Sequence, residues 1–197
     1  MSASSEPLRI LTLCTGNICR SPVAERLLAR HLEASGVDAV VRSAGTYAGG
    51  RSADRDTAGA AAVLGVDLSD HRARAVDREM VESEGADLVL TMTREHVRHV
   101  ASIVPTAWRR SFTLKEFVRR SLGADLRAAA SFAEVCRAVA GDRRAADGLA
   151  SDPADDVADP YGRGSRAHSA MVTEVDDLAM AAARVMGAWS RVRGGAL

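Results

Sequence analysis

The feature that most constrains the fold is an alternation of short apolar runs with segments of helical spacing. Four runs are typical of buried strands, at residues 8–13, 39–44, 87–92 and 109–114. Apolar residues elsewhere recur at the period of an α-helix, most clearly between 171 and 189. This alternation predicts a parallel sheet with helices on both faces and right-handed crossovers. We therefore expect a three-layer α/β fold.

Further helices are predicted near residues 21–36, 56–64, 77–84 and 94–104. The segment 115–152 departs from the strand–helix rhythm, because two helical stripes of apolar residues follow each other there, the first running from Leu114 to Leu122 and the second from Phe132 to Val139. We expect a single domain over residues 1–197 with this segment as a helical insertion. The insertion could cap a pocket, change substrate choice or form a partner surface, and the sequence leaves these three roles open.

Charge and cysteine content exclude several classes of protein. Acidic and basic residues balance at 26 each, which argues against a nucleic-acid binder. Three cysteines are too few for a secreted disulfide scaffold. No apolar run approaches the ~20 residues that span a bilayer, and the N-terminus lacks the pattern of a signal peptide. We expect a cytoplasmic protein, a monomer or weak dimer, without nucleic-acid or membrane partners.

A short polar loop, CTGNICRSP, joins the first strand to the first helix, with Cys14 and Arg20 at its two ends. Ligands of parallel sheets bind at the carboxyl ends of the strands, where a helix N-terminus offers amide groups and a positive dipole end to an anion. We expect Gly16 to let the backbone turn tightly. Ser21 is expected to cap the helix, with Pro22 at its first position.

The field that favours a phosphate at this loop also favours a thiolate at Cys14, which would be a nucleophile aimed at phosphorus. Arg20 offers a planar fork of donors to phosphate oxygens. The loop therefore predicts phosphoryl transfer through a phosphocysteine, with Arg20 and the loop amides holding the equatorial oxygens. The bare spacing of Cys14 and Arg20 is weak evidence, since a buried structural cysteine and a surface arginine would match it equally. The strand–loop–helix context favours the chemical interpretation.

The segment LCTGNICRSPVAE resembles the active-site loop of the low-molecular-weight protein tyrosine phosphatases. Four more motifs follow in that family's order: SAGT (43–46), DHRAR (70–74), DLVLTM (87–92) and DPYG (159–162). Together they cover about residues 8–113 and 155–187. The resemblance implies a four-stranded sheet of order 2-1-3-4 and a phosphatase of phosphotyrosine proteins, with no metal or other cofactor. A small non-protein phosphomonoester remains open as the substrate.

The resemblance also implies roles for single residues. Asp159, in a turn-rich loop beside Pro160, would be the general acid that protonates the leaving oxygen and the base in the second step. Ser21 would donate a hydrogen bond to the Cys14 thiolate. The phosphoryl group and substrate ring would contact Thr15, Gly16, Asn17, Ile18, Cys19 and Tyr161. Asn17, Ser43 and His71 would brace the loop.

Several side chains carry simpler or open interpretations. Cys19 is either a partner of Cys14 in a reversible disulfide, as in some relatives, or a small buried hydrophobe. Cys136 is expected in the core. Tyr47 could line the pocket or lie on the surface. We expect the remaining polar candidates to face solvent: His31, His96, His99, His168, Asp152, Asp155 and Asp156.

An arsenate reductase of the same fold is the alternative function. That chemistry relays a disulfide through further cysteines, and no cysteine lies between Arg20 and Val135. A protein that only binds phosphotyrosine is a third hypothesis. It is disfavoured because Cys14, Arg20 and Asp159 are all retained.

Overall fold

A computed structural model describes residues 6–82, 85–144 and 153–194. Within these ranges the chain forms four strands and seven α-helices. The strands are β1 (Leu8–Cys14), β2 (Ala39–Gly45), β3 (Leu88–Thr91) and β4 (Ser111–Thr113). The helices are α1 (Arg20–Ala34), α2 (Arg55–Val63), α3 (Arg78–Glu82), α4 (Arg94–Ile103), α5 (Leu114–Ser121), α6 (Phe132–Ala140) and α7 (Ser165–Gly194). None of the helices in the described ranges has the length and apolar character needed to cross a membrane.

The four strands form one parallel sheet in the order β2-β1-β3-β4, which confirms the prediction. The register pairs Cys14 with Gly45 of β2 and Leu13 with Thr91 of β3. Three strands therefore end at the same edge of the sheet. Since ligands of parallel sheets bind at this edge, the register brings the ends of β1, β2 and β3 to the expected site.

Successive residues of β1 point to opposite faces of the sheet, and each face has its own apolar core. Ile10 packs in the larger core, with residues from α1, α2, α5, α6 and α7. Leu11 and Leu13 pack in the smaller one, with Val81 of α3 and Val100 of α4. The run of apolar residues in β1 thus reflects a strand that is covered on both sides.

Helix α1 begins at Arg20, two residues before the first helical position predicted for Pro22, and its N-cap is Cys19 with no side-chain capping bond. The prediction that Ser21 caps the helix is therefore wrong. Ser21 lies inside the first turn, where amides have no intrahelical partner, and its hydroxyl contacts Cys14 and accepts a hydrogen bond from Asn17 Nδ2 of the neighbouring loop. Pro22 shares this first turn, so its missing N–H removes no helical hydrogen bond.

Both helical stripes predicted near the insertion form helices. Phe117 of α5 and Val135 of α6 are fully buried in the larger core. The ring of Phe132 packs edge-on against Trp189 of α7, with 5.4 Å between the ring centroids. Residues 145–152 of the predicted insertion lie outside the described residues. The described part of this segment thus packs as part of a helical layer on the sheet.

Candidate active site

The loop of residues 15–19 connects β1 to α1 at the carboxyl edge of the sheet. Cys14, the last residue of β1, is only 1% exposed. Its Sγ accepts a hydrogen bond from the amide of Asn17 at 3.3 Å and lies 3.0 Å from Ser21 Oγ. The sulfur thus lies below the N-terminus of α1, in contact with the Asn17 amide and the Ser21 hydroxyl.

The carbonyls of the 15–19 loop turn outward. Four donors outside the loop bind carbonyls of this loop and that of Cys14. Thr46 N donates to the Cys14 carbonyl and Tyr47 N to that of Thr15. His71 Nε2 donates to the Asn17 carbonyl and Asp54 N to that of Ile18. With the carbonyls held outside, the loop amides are free to converge on its interior. Within the described residues, four loop amides donate to no protein acceptor: those of Thr15, Gly16, Ile18 and Cys19.

The tight turn of the loop occurs at Asn17, whose φ of 50° is the one left-handed value at a non-glycine residue in the described ranges. Gly16 has no such φ, so the left-handed conformation in the loop belongs to Asn17. That Gly16 lets the backbone turn tightly stays a prediction. Asn17 tolerates this conformation because its side chain bonds locally. Its Nδ2 donates to Ser21 Oγ and Ser43 Oγ, both at 2.9 Å.

Three further residues hold Asn17 and Ser43 in place, two through their side chains and Arg74 through its backbone amide. His71 Nε2 donates to the Asn17 carbonyl at 2.6 Å, and the Arg74 amide donates to Asn17 Oδ1 at 2.9 Å. Ser43 Oγ donates to the Glu25 carboxylate. The structure thus brings together the three predicted bracing residues and adds Arg74 and Glu25. Arg74 belongs to the DHRAR motif, and Glu25 is the last residue of the LCTGNICRSPVAE segment, although neither was assigned a bracing role from the sequence.

Gly45 allows the 15–19 loop to lie directly on the end of β2. A Cβ at this position would come within 2.7 Å of the Thr15 carbonyl oxygen and 2.8 Å of the Asn17 amide nitrogen. Both neighbours are backbone atoms that cannot rotate away. The glycine of the SAGT motif is therefore a packing requirement of the site.

Arg20 points into the same site and is 4% exposed. Its Nη1 donates to the Val157 carbonyl at 3.3 Å, and its Nη2 donates to Thr15 Oγ1 at 3.3 Å. Nη2 also binds Asp159 Oδ2 at 2.6 Å, although the Asp159 side chain is 45% exposed. The Nε of Arg20 is buried and has no hydrogen-bond partner among the described residues. The guanidinium therefore keeps donor capacity for an anion.

The segment before Asp159 is fixed to the sheet edge and to α4. The Val157 amide donates to the Met92 carbonyl at 2.8 Å, and the Arg94 amide donates to Asp156 Oδ1 at 3.0 Å. Asp156 is thus a hydrogen-bonded anchor rather than a solvated charge. Asp152, which we also expected to be solvated, lies outside the described residues.

Asp155 contradicts the expectation of a solvated charge, since it is 3% exposed. Its carboxylate binds Arg94 Nη2 and Arg119 Nη2, each at 2.8 Å. Burial by itself raises the pKa of Asp155, but hydrogen bonds and charge from the two arginines outweigh it and hold the pKa below its ordinary value. Arg94 also approaches the buried Glu116 of α5, at 3.4 Å. An ion-pair network thus joins the approach to Asp159 to the predicted insertion.

Two aromatic side chains lie near the mouth of the site. Tyr161 is 54% exposed, and its amide donates to Asp159 Oδ1 at 3.2 Å. The guanidinium of Arg51 lies 5.9 Å from the centre of its ring. Tyr47 is 80% exposed and its ring lies 6.4 Å from that of His99. Tyr161 is therefore the aromatic residue in direct contact with Asp159.

Cys19 is buried and is a free thiol, as are Cys14 and Cys136. Burial raises the pKa of Cys19 to about 12, against a lowering contribution from a hydrogen bond with Thr57. Potential ligand atoms of Cys19, Asp54 and His168 lie within 4.8 Å of one another and could hold a metal ion. The Thr57 hydroxyl already bonds His168 Nδ1 at 2.7 Å, so hydrogen bonding accounts for the cluster.

The prediction that four histidines face solvent is wrong for His96 and His168, which are 4% and 2% exposed. His31 is partly buried and lies 2.7 Å from Asp176. His99 is also only partly exposed. These positions lie on helix faces that pack against other elements, and single histidines leave no periodic signal that would show it.

His96 contacts the 15–19 loop directly. Its Nε2 lies 3.0 Å from Thr15 Oγ1, and its Nδ1 accepts a hydrogen bond from the amide of Thr93 at 3.1 Å. Burial, together with the nearby charges of Arg20 and His99, lowers the pKa of His96 to about 3. His96 is thus a neutral component of the site that sequence reasoning missed.

Comparison with known proteins extends the resemblance. The family model for low molecular weight phosphotyrosine protein phosphatase matches residues 9–137, more than half of the chain. The chain is 44% identical over 97 residues to the low molecular weight protein-tyrosine-phosphatase Etp of Escherichia coli K12, a match that covers 49% of the chain and 62% of Etp. The chain thus spans about three fifths of that relative's length.

Two further relatives are named as arginine phosphatases rather than tyrosine phosphatases. The protein-arginine-phosphatase of Bacillus subtilis is 39% identical over 114 residues, which are 58% of this chain and 75% of the relative. A solved structure of a YwlE arginine phosphatase mutant with a phosphorylated active-site serine has a TM-score of 0.70 at 27% identity and covers 93% of this chain and 99% of its own. With the matched motifs and the strand order, these findings show that the chain belongs to the low molecular weight phosphotyrosine protein phosphatase family.

Proposed function

We propose that this protein hydrolyses aryl phosphomonoesters, with phosphotyrosine in proteins as its substrate class. The observation that carries the proposal is the arrangement around Cys14. Its sulfur lies below a loop in which the amides of Thr15, Gly16, Ile18 and Cys19 have no protein acceptor in the described ranges. The buried Arg20 closes that loop beside Asp159. A tetrahedral dianion matches this set of convergent donors.

In the first step the Cys14 thiolate attacks phosphorus and the bond to the aryl oxygen breaks. The loop amides and Arg20 stabilise the charge on the equatorial oxygens. Asp159 donates its proton to the departing oxygen, which leaves as a phenol, and a phosphocysteine remains. The amide of Asn17 and the hydroxyl of Ser21, close to Cys14 Sγ, favour the thiolate before attack.

In the second step water attacks the phosphocysteine and the bond between sulfur and phosphorus breaks. Asp159, now a carboxylate, accepts a proton from the water, so that the thiolate and inorganic phosphate are restored. Asp159 suits both roles because its side chain is half exposed and lies beside Arg20 at the mouth of the site. The phosphorylated serine named for the YwlE mutant structure supports a covalent phosphoenzyme in this family.

Tyr161 supports an aromatic substrate, because its ring is exposed, its backbone amide binds the Asp159 carboxylate, and the ring could pack against the substrate ring. The arginine phosphatases among the relatives make phosphoarginine the second candidate. An arsenate reductase is not favoured by the comparisons. Cys136, the one cysteine outside the loop, is buried with its pKa raised by burial to about 12, which makes it a poor relay thiol.

Hydrolysis of p-nitrophenyl phosphate, a phosphotyrosine peptide and a phosphoarginine peptide tests the proposal. We expect activity on the first two, loss of activity in Cys14→Ser, and full activity in the matched control Cys136→Ser. A Cys14→Ser variant that still hydrolyses these substrates would overturn the mechanism. Preference for the phosphoarginine peptide would reassign the substrate, and thiol-dependent reduction of arsenate would reassign the reaction.

We also propose that the enzyme is cytoplasmic and acts as a monomer or weak dimer, without nucleic-acid or membrane partners. The three described cysteines are free thiols, which fits a reducing compartment. Cell fractionation and sedimentation of the purified protein at several concentrations test these two points.

A further inference from the structure

His96 is a buried polar side chain that touches the 15–19 loop, yet the proposed mechanism does not use it. It lies in the first turn of α4, across the site from α1. Its contacts are polar at both ring nitrogens, with Thr15 on one side and Thr93 on the other. These contacts determine where its proton lies.

The tautomer of His96 follows from the Thr93 contact. A backbone N–H is always a donor, so the Nδ1 that it binds at 3.1 Å must be unprotonated. The proton of the neutral ring is therefore on Nε2, which donates to Thr15 Oγ1 at 3.0 Å. Protonation of the ring would add a hydrogen to Nδ1 that faces the hydrogen of the Thr93 amide, which agrees with the lowered pKa of His96.

This assignment leaves the Thr15 hydroxyl with one direction to donate. A hydroxyl has two acceptor lone pairs and one hydrogen. His96 Nε2 and Arg20 Nη2, at 3.0 and 3.3 Å, donate to the two lone pairs. No protein acceptor for the remaining hydrogen lies within hydrogen-bond reach in the described ranges. Thr15 is exposed at the mouth of the site, so its hydrogen is available to a bound phosphoryl group.

We propose that neutral His96 is a positioning residue that acts through Thr15, holding the Thr15 hydroxyl as a hydrogen-bond donor to the phosphoryl group of the substrate. The proposal rests on the proposed phosphatase function and adds a side-chain donor to the loop amides and Arg20. It commits Thr15 to donating rather than accepting, because both of its lone pairs are occupied. The donor acts on a charged oxygen, the stronger class of hydrogen bond.

A double-mutant cycle on kcat/KM for p-nitrophenyl phosphate tests the coupling. We expect Thr15→Val to lower kcat/KM about tenfold or more, the usual weight of one bond to a charged group, and Thr15→Ser to retain most of it. His96→Phe should cause a similar loss in the native background and little further loss in Thr15→Val. His99→Phe, one turn along α4 and without a contact to Thr15, is the matched control and should remain active.

Inorganic phosphate gives a readout that does not depend on turnover. Its inhibition constant should rise several-fold in Thr15→Val and His96→Phe, but not in Thr15→Ser or His99→Phe. Should His96→Phe fail to fold, His96→Leu replaces it in the cycle. His96→Gln is the conservative variant, since a glutamine amide can still donate to Thr15 and should keep most of the activity. Thermal unfolding of each variant identifies loss of structure.

Additive losses in the cycle would overturn the proposal, as would a Thr15→Ser variant no better than Thr15→Val. Either result would leave the phosphatase function intact. If the native protein does not hydrolyse the aryl phosphate, or Cys14→Ser does, the proposed function itself fails. The two failures are therefore distinguishable.

Discussion

Asp159 Oδ2 lies 2.6 Å from Arg20 Nη2, although 139 residues separate the two in the sequence. The pair places a carboxylate and the buried cation of the 15–19 loop side by side at the mouth of the site. A phosphoryl group that binds the loop would therefore share Arg20 with Asp159 or displace it. In the proposed mechanism, the same contact would keep the carboxylate close to the oxygen that leaves.

Replacement of Asp159 by asparagine tests the acid role. We expect kcat/KM to fall by about 10²–10⁴ for phenyl phosphate, whose leaving group needs a proton, and far less for 2,4-dinitrophenyl phosphate. Inorganic phosphate should inhibit the variant more strongly, because Arg20 loses its competing carboxylate. Steady-state kinetics across a series of aryl phosphates measures both effects, and an equal loss for all leaving groups would contradict the assignment.

Gly45→Ala should distort the 15–19 loop. The added methyl would lie 2.7 Å from a backbone oxygen and 2.8 Å from a backbone nitrogen, so the loop must move. We expect a loss of about 1–3 kcal/mol in the free energy of unfolding and at least tenfold in kcat/KM. Urea unfolding and kinetics provide the measurements.

Gly49→Ala is the matched control for that substitution, since nothing lies within 4 Å of its added Cβ and its φ is not left-handed. Its free energy of unfolding should stay that of the native protein. Equal effects of the two substitutions would show that contact with the loop is not the cause.

Glu116→Gln should destabilise the protein strongly. The Glu116 carboxylate is fully buried and lies 3.2 to 3.5 Å from guanidinium nitrogens of Arg94, Arg120 and Arg143. Removing its charge takes a buried carboxylate away from three guanidinium groups that pack around it, which costs about 3–5 kcal/mol. Asp125→Asn, in an exposed pair with Arg127, is the control and should leave the urea midpoint unchanged. Similar midpoints for both variants would refute this.

His96 should make stability depend on pH. Burial, Arg20 and His99 lower its pKa from 6.5 to about 3, so between these values the unfolded chain binds a proton that the folded protein does not. Stability is therefore lost as the pH falls through this window, by about 2 kcal/mol between pH 7 and pH 5. Urea unfolding of the native protein and His96→Gln at both pH values checks this, since the variant should lose less. Parallel pH profiles would exclude His96 as the source.

Local sequence patterns predicted most of the architecture. The continuous apolar runs of β1 and β3 are typical of strands that are buried on both faces, and the stripes of α5 to α7 carry the period that one face of a helix requires. The strand order and the site motifs entered through the family resemblance. An error occurred where the local signal was ambiguous: α1 begins at Arg20 rather than at Pro22, which moved Ser21 from the cap into the first turn. The left-handed conformation of Asn17 was not predicted.

By itself, the sequence determined the succession of strands and helices along the chain and the placement of Cys14 and Arg20 at the ends of one loop. These properties depend on residues that are near each other in the chain. Only the tertiary structure placed Asp159 on Arg20, buried His96 against Thr15, and surrounded Glu116 with arginines. Such contacts join residues far apart in sequence and have no period. They depend on which helix faces meet at the sheet edge, and burial there decides whether a polar residue is solvated or becomes part of the site.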